Sequence, residues 1–168
     1  MQRLSSLEII RNKIPDLKKL ETLLCRWRFF SQKIVFTNGC FDLLHLGHID
    51  YLAKAADEGD VLIIGLNSDA SIAGLKGPSR PINCQEQRAM VLASLQFVSA
   101  VVIFDEPNPY HLINTVQPDV LIKGGDYSPE NIVGYEVVKA KNGIIKTFEF
   151  LKGYSTTHIE NKILSFKK

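Results

Sequence analysis

Between a predicted strand and a predicted helix the chain reads Thr37-Asn38-Gly39-Cys40-Phe41-Asp42-Leu43-Leu44-His45-Leu46-Gly47-His48. Two histidines three residues apart stand on one side of a helix, one turn from each other. Gly39 lets a ligand approach the backbone closely, and Gly47 leaves space beside the two rings. A helix starting here also offers unpaired N–H groups and the positive end of its dipole. The combination suits a polyphosphate. Two plainer readings stand beside it: capping or surface histidines, and half of a zinc site. Zinc needs further ligands at plausible spacing, and His111 and His158 lie far off with nothing marking them as partners. Metal ligation by protein side chains is therefore not expected.

Other residues can be weighed on their own chemistry. Lys76-Gly77-Pro78-Ser79-Arg80-Pro81-Ile82 is a basic loop of the sort that closes over phosphates, or else a solvated loop. Lys123-Gly124-Gly125-Asp126 follows an apolar run, at the carboxyl end of a strand, where open α/β sheets bind ligands; its glycines would let the backbone read adenine and ribose. A plain turn is the simpler alternative there. Asp42 could orient a sugar phosphate or a histidine, or form an Asx-turn. Gly153-Tyr154-Ser155-Thr156-Thr157 opens the last predicted helix; a cap explains one hydroxyl but not three in a row. Cys40 reads as a small residue facing the core or a nucleotide, because no general base is patterned around it.

The elements that must position these residues alternate. Apolar residues at helical spacing from Leu4 to Phe30, interrupted by Pro15, predict two short helices, a lead-in over residues 1–32. Over 33–168, strands are predicted at Lys33–Thr37, Val61–Leu66, Ala100–Phe104, Asp119–Lys123 and Ile144–Phe148. Helices are predicted at His45–Glu58, Gln85–Gln96, Pro109–Val116, Val133–Lys141 and Ser155–Phe166. The strands are apolar throughout rather than alternating, which implies parallel strands covered on both faces. The predicted class is α/β: a Rossmann-like, doubly wound parallel sheet with helices on both faces. Ser68–Asn83 and Gly124–Ile132 read as loops at the ligand-binding edge. Trp27, Phe29 and Phe30 form an aromatic cluster that would pack on the sheet or on a second copy.

Composition narrows the function. The 168 residues fit one compact domain, and 45% hydrophobic content supports a sizeable core. A net charge of +2 lacks the basic excess of a nucleic-acid binder. No apolar run approaches the ~20 residues of a membrane span, and the N-terminus lacks the features of a secretory signal, so a cytoplasmic protein with no membrane association is expected. Cys25, Cys40 and Cys84 are odd in number without C-x-x-C spacing, and free thiols are expected.

The run Gly39-Cys40-Phe41-Asp42 with His45-Leu46-Gly47-His48 resembles the G-x-F-D-x-x-H-x-G-H signature of the cytidylyltransferase-like nucleotidyltransferases. The resemblance implies that His45 and His48 bind a nucleoside triphosphate and stabilise charge as pyrophosphate leaves. It also implies that Thr37, Asn38, Gly39, Cys40, Phe41 and Gly47 line the nucleotide, and that Ser155, Thr156 and Thr157 hold β- and γ-phosphates. Lys76 joins the histidines as a catalytic cation. Asp42, Arg80 and Arg88 are assigned to the sugar phosphate. The chain departs from the superfamily where a final arginine is replaced by Glu160, leaving Lys152 and Lys76 to meet that charge.

Leu121-Ile122-Lys123-Gly124-Gly125-Asp126-Tyr127, Ile132-Val133-Gly134 and Gly153–Thr157 sharpen the likeness to the bacterial heptose 1-phosphate adenylyltransferases of ADP-heptose synthesis. That likeness implies transfer of AMP from ATP to D-glycero-β-D-manno-heptose 1-phosphate for the lipopolysaccharide inner core. Lys123, Gly124, Gly125 and Asp126 would be nucleotide-binding, Mg2+ would arrive on the ATP phosphates, and the protein would be a homodimer. In many bacteria such a domain follows a sugar kinase. This chain is too short to hold one, so a separate heptose kinase is expected upstream. Attack would be in line at the α-phosphorus without a covalent enzyme intermediate, helped by positioning and charge rather than acid–base chemistry. A cytidylyltransferase acting on glycerol 3-phosphate and a non-catalytic nucleotide-binding module are the competing expectations.

Overall fold

The computed structural model describes residues 3–125 and 128–166. Its strands are β1 (Ile34–Gly39), β2 (Val61–Asn67), β3 (Ala100–Phe104), β4 (Val120–Gly124) and β5 (Ile144–Phe148). They form one sheet in the order β3-β2-β1-β4-β5, and every pairing is parallel. Each strand lies within about two residues of its predicted span. All seven residues of β2 are buried, the burial expected of a parallel strand covered on both faces.

Helices α1 (Ser6–Asn12) and α2 (Leu17–Phe29) precede the sheet, separated at Pro15. Ser5 and Asp16 cap them, each accepting a hydrogen bond from a backbone N–H three residues on. The remaining helices are α3 (Leu46–Ala56), α4 (Asp69–Lys76), α5 (Gln85–Ala93), α6 (Tyr110–Val116), α7 (Tyr135–Ala140) and α8 (Thr156–Ser165). One sheet face buries Leu20 and Leu24 of α2, Ile113 and Val116 of α6, and Val138 of α7. The other buries Leu52 and Ala55 of α3 and Ala89 and Leu92 of α5. Helices thus cover both faces. Trp27 packs on the first core, whereas Phe29 and Phe30 meet edge to face in solvent.

Two expectations need correction. Ser68–Asn83 is not all loop, because α4 occupies Asp69–Lys76. Ser68 caps it by accepting from Ser71 N–H, and Ile72 is fully buried, so local capping and one anchoring side chain outweigh two glycines and a proline nearby. Gly124–Ile132 contains a short 3-10 turn at Pro129–Asn131. No helix among the described residues is long and apolar enough to cross a membrane. The three cysteines are free.

Candidate active site

Where strand order reverses, the carboxyl ends of neighbouring parallel strands splay their connections to opposite sides and leave a crevice. Here the reversal is at β1, and β1 is flanked by β2 and β4. A cavity of about 600 Å3 opens there, within the usual range for small-molecule sites. Asn38 and Gly39 of β1, Cys40, Phe41 and Asp42 of the following loop, and His48 of α3 line it. Lys76 of α4, Lys123 and Gly124 of β4, and Thr156 of α8 close it.

His45 is the N-cap of α3, with extended backbone. Its ring stacks on His48, centroids 3.8 Å apart and planes 20° from parallel. Gly47 permits this: a Cβ there would lie 3.2 Å from the His45 ring and 3.2 Å from Tyr154 Cβ. Burial drives the His48 pKa down to about 4, and repulsion from His45 and Lys76 adds to it. The Leu43 carbonyl favours the charged ring, yet no hydrogen bond of acceptable geometry reaches His48 Nδ1. Burial also lowers the His45 pKa. Both rings are therefore neutral at pH 7. A neutral ring carries one N–H donor, so the pair can present hydrogen bonds to phosphate oxygens while charge comes from the adjacent Lys76 ammonium.

At the opposite end of the chain, Ser155 caps α8 by accepting from His158 N–H at 3.1 Å. The helix itself supplies no acceptor for the Thr156 and Thr157 N–H groups. Thr156 lines the cavity, and Thr157 is exposed. Gly124 packs under the exposed Phe150 ring, which a Cβ at 2.5 Å would displace. Gly125, with φ of 110°, turns the chain away from β4 while donating its N–H to the Phe148 carbonyl. Asp126 lies outside the described residues.

Four assignments change. The Thr37 hydroxyl is fully buried and bonded to the Tyr51 hydroxyl at 2.6 Å, so it holds β1 to α3 rather than touching a nucleotide. Burial raises the Tyr51 pKa to about 12, which keeps that phenol protonated. Arg88 is enclosed, its side chain 0% exposed. It donates to the carbonyls of Asn83 (2.9 Å), Cys40 (2.7 Å) and Asn67 (2.8 Å) and to the Asp69 carboxylate (2.7 Å). Arg88 fastens the ends of β1 and β2 to α4 and α5, with no guanidinium edge offered to a sugar phosphate. Asp42 accepts from the N–H groups of Ile82 and Asn83 and from Arg80. Burial pushes its carboxyl pKa up, but these bonds more than offset that and hold it below the ordinary range. Arg80 lies between two carboxylates, Asp42 at 3.2 Å and Glu160 on α8. Asp42 borders the cavity, but its carboxylate and the Arg80 guanidinium are engaged in joining loops to each other.

The cavity also includes Asn67, Leu75, Pro107, Asn108, Pro109 and Val133. None was singled out from sequence as a site residue. Asn67 ends β2 and Pro107–Pro109 follow β3, so the rule that ligands sit at strand carboxyl ends could have found them. Among the described residues no group of three His, Cys, Asp or Glu side chains could hold a metal ion, and Asp42 is already committed.

A family profile described as cytidylyltransferase-like matches residues 36–162. The chain is 51% identical over 153 residues to the bifunctional protein HldE of Wolinella succinogenes, covering 91% of this chain and 31% of that one. It is 49% identical over 154 residues to the bifunctional protein HldE of Citrifermentans bemidjiense, covering 92% and 32%. The chain thus spans about a third of the length of these relatives. Among solved structures, the lipopolysaccharide core biosynthesis protein from Thermoplasma volcanium is similar with a TM-score of 0.57 and 27% identity, over 74% of this chain and 99% of that one. Pantoate-beta-alanine ligase from Francisella tularensis shares the fold, with a TM-score of 0.60 and 21% identity over 92% and 79%.

Proposed function

This chain belongs to the cytidylyltransferase-like family, and from that premise we propose that it transfers AMP from ATP to D-glycero-β-D-manno-heptose 1-phosphate, releasing pyrophosphate. The observation that carries the reading is the stacked His45–His48 pair at the start of α3, beside the cavity that His48, Lys76 and Thr156 line. In-line attack by an anionic sugar phosphate needs no strong base. It needs two polyanions aligned and the charge on the α-phosphate and leaving oxygens offset. His45 and His48 donate hydrogen bonds to the α- and β-phosphate oxygens, Lys76 supplies charge, and the α8 terminus with Ser155, Thr156 and Thr157 holds the far phosphates.

Adenine and heptose are favoured by the Lys123-Gly124-Gly125 stretch at the end of β4 and by about half identity to the bifunctional HldE proteins, of which this chain corresponds to one part. The likeness to a lipopolysaccharide core biosynthesis protein supports the same use of the product. Mg2+ enters as a companion of ATP, held mainly by phosphate oxygens as is usual for this ion. The sugar phosphate comes from a sugar kinase, and the reaction runs in the cytoplasm. Phe29 and Phe30, 82% and 62% exposed, support a homodimer as the working form.

The test is pyrophosphate release by purified protein with Mg2+ and each of ATP, CTP and GTP, against heptose 1-phosphate, mannose 1-phosphate and glycerol 3-phosphate. Release with ATP and heptose 1-phosphate alone is expected. Turnover of CTP with glycerol 3-phosphate would overturn the substrate assignment, and silence with every pair would overturn the reaction.

A further inference from the structure

Resting on the adenylyltransferase reading, we infer that Lys123, with Asn38, grips the phosphate of the acceptor sugar phosphate rather than the nucleotide, and that a side chamber behind it receives the sugar. Lys123 lies near the end of β4 and Asn38 near the end of β1, so the two face each other across the crevice where strand order reverses. The Lys123 ammonium donates to Asn38 Oδ1 at 3.3 Å. Among the described residues no carboxylate comes within ion-pair distance of it. A neutral amide at that distance leaves a part-buried ammonium poorly compensated. Burial lowers its pKa accordingly, while nearby Cys40 favours the charged form. A phosphate dianion is the complement such a group lacks.

Position separates the two substrates. A chamber of about 150 Å3 adjoins the main cavity, lined by Asn38, Pro109, Lys123, Asn131, Ile132 and Val133. Lys123 is the cation that borders both spaces; His48, Lys76 and Thr156 border the main cavity without reaching the chamber. In-line displacement demands that the incoming oxygen and the leaving pyrophosphate lie on opposite sides of the α-phosphorus. With pyrophosphate held by the histidines, Lys76 and α8, the acceptor comes from the Lys123 side. The chamber wall has the right chemistry for a sugar: two asparagine amides for hydroxyls, and Pro109, Ile132 and Val133 for the C–H faces of a ring. The expected sugar-phosphate ligands, Arg80 and Arg88, are already committed to Asp42, Glu160, Asp69 and three carbonyls.

The experiment measures each substrate separately on the full chain. Calorimetry gives the affinity for α,β-methylene-ATP alone, and then for heptose 1-phosphate added to the analogue-saturated protein. Lys123→Met is expected to weaken heptose 1-phosphate binding by at least about tenfold, and to leave analogue binding within about twofold. Lys123→Arg should recover part of the loss. Asn131→Asp, on the chamber's exposed rim, should weaken acceptor binding by electrostatic repulsion and leave the nucleotide unaffected, which keeps the test open if Lys123→Met misfolds. Loss of analogue affinity in Lys123→Met with acceptor binding retained would overturn the inference, as would no change in either. If the wild-type protein binds both ligands yet releases no pyrophosphate, the reaction assignment fails, while the Lys123 comparison stands on its own binding data.

Discussion

Two walls of the cavity are built in opposite ways. The β1–α3 wall is fastened from behind: Arg88 ties the ends of β1 and β2 to α4 and α5, and Asp42 secures the Ile82–Asn83 backbone. The wall at α8 has no buried residue along the helix, and Ile163, Leu164 and Phe166 face solvent. Its one recorded side-chain tie to the rest of the fold among the described residues is the Arg80–Glu160 ion pair. Where hydrogen bonds are buried and converge on one guanidinium, donors are fixed before substrate arrives, which is what electrostatic stabilisation of a transition state needs. Where a helix is held by one part-exposed ion pair, local opening costs little, so the wall can adjust around phosphates of varying position.

Perturbing the fastened wall should have the largest effect. Arg88→Ala removes the partner of three backbone carbonyls and is expected to destabilise the protein by about 3 kcal/mol or more, read by urea unfolding. A loss under about 1 kcal/mol would show that this wall is no firmer than the other. Next comes His48→Ala, expected to keep the unfolding midpoint near wild type and to lower kcat by about 10²–10³, the usual cost of one transition-state donor. Arg80→Ala, on the looser wall, should change stability by less than about 1 kcal/mol and raise the KM for ATP by less than about tenfold with kcat nearly unchanged. A large fall in kcat would mean that α8 is as preorganised as α3.

The remaining effect is seen only when pH is varied. The His48 pKa is about 4 in the fold against 6.5 for a free ring. The unfolded chain therefore takes up a proton first as pH falls. The stability linked to the neutral ring is complete above about pH 6.5 and is lost as pH drops toward 4. The melting temperature of His48→Gln, relative to wild type, should thus rise between pH 7 and 4.5. A difference independent of pH would show that burial does not suppress protonation there.

Strands were legible in the sequence because parallel strands covered on both faces are apolar throughout, and Val61–Leu66 could hardly be anything else. The histidine pair was legible because its function depends on local spacing at one helix start. Arg88 was not. Its partners Cys40 and Asn67 lie 48 and 21 residues away, and nothing local distinguishes a buried fastener from a phosphate ligand. The same holds for Arg80, whose two carboxylates come from the β1 loop and the last helix. Helix α4 was hidden by Gly74, Gly77 and Pro78, whose turn-forming signal masked the Ser68 cap and the single anchor Ile72.

The central claim is that the His45–His48 wall promotes nucleotidyl transfer at the α-phosphorus. Incubation of the protein with heptose 1-phosphate, Mg2+ and ATP labelled with 32P at the α-position, followed by chromatographic separation, tests it most directly. The label is expected to move into a nucleotide sugar while unlabelled pyrophosphate is released, and His48→Ala to suppress both together. Label found in ADP, with the γ-phosphate transferred to the sugar, would contradict it.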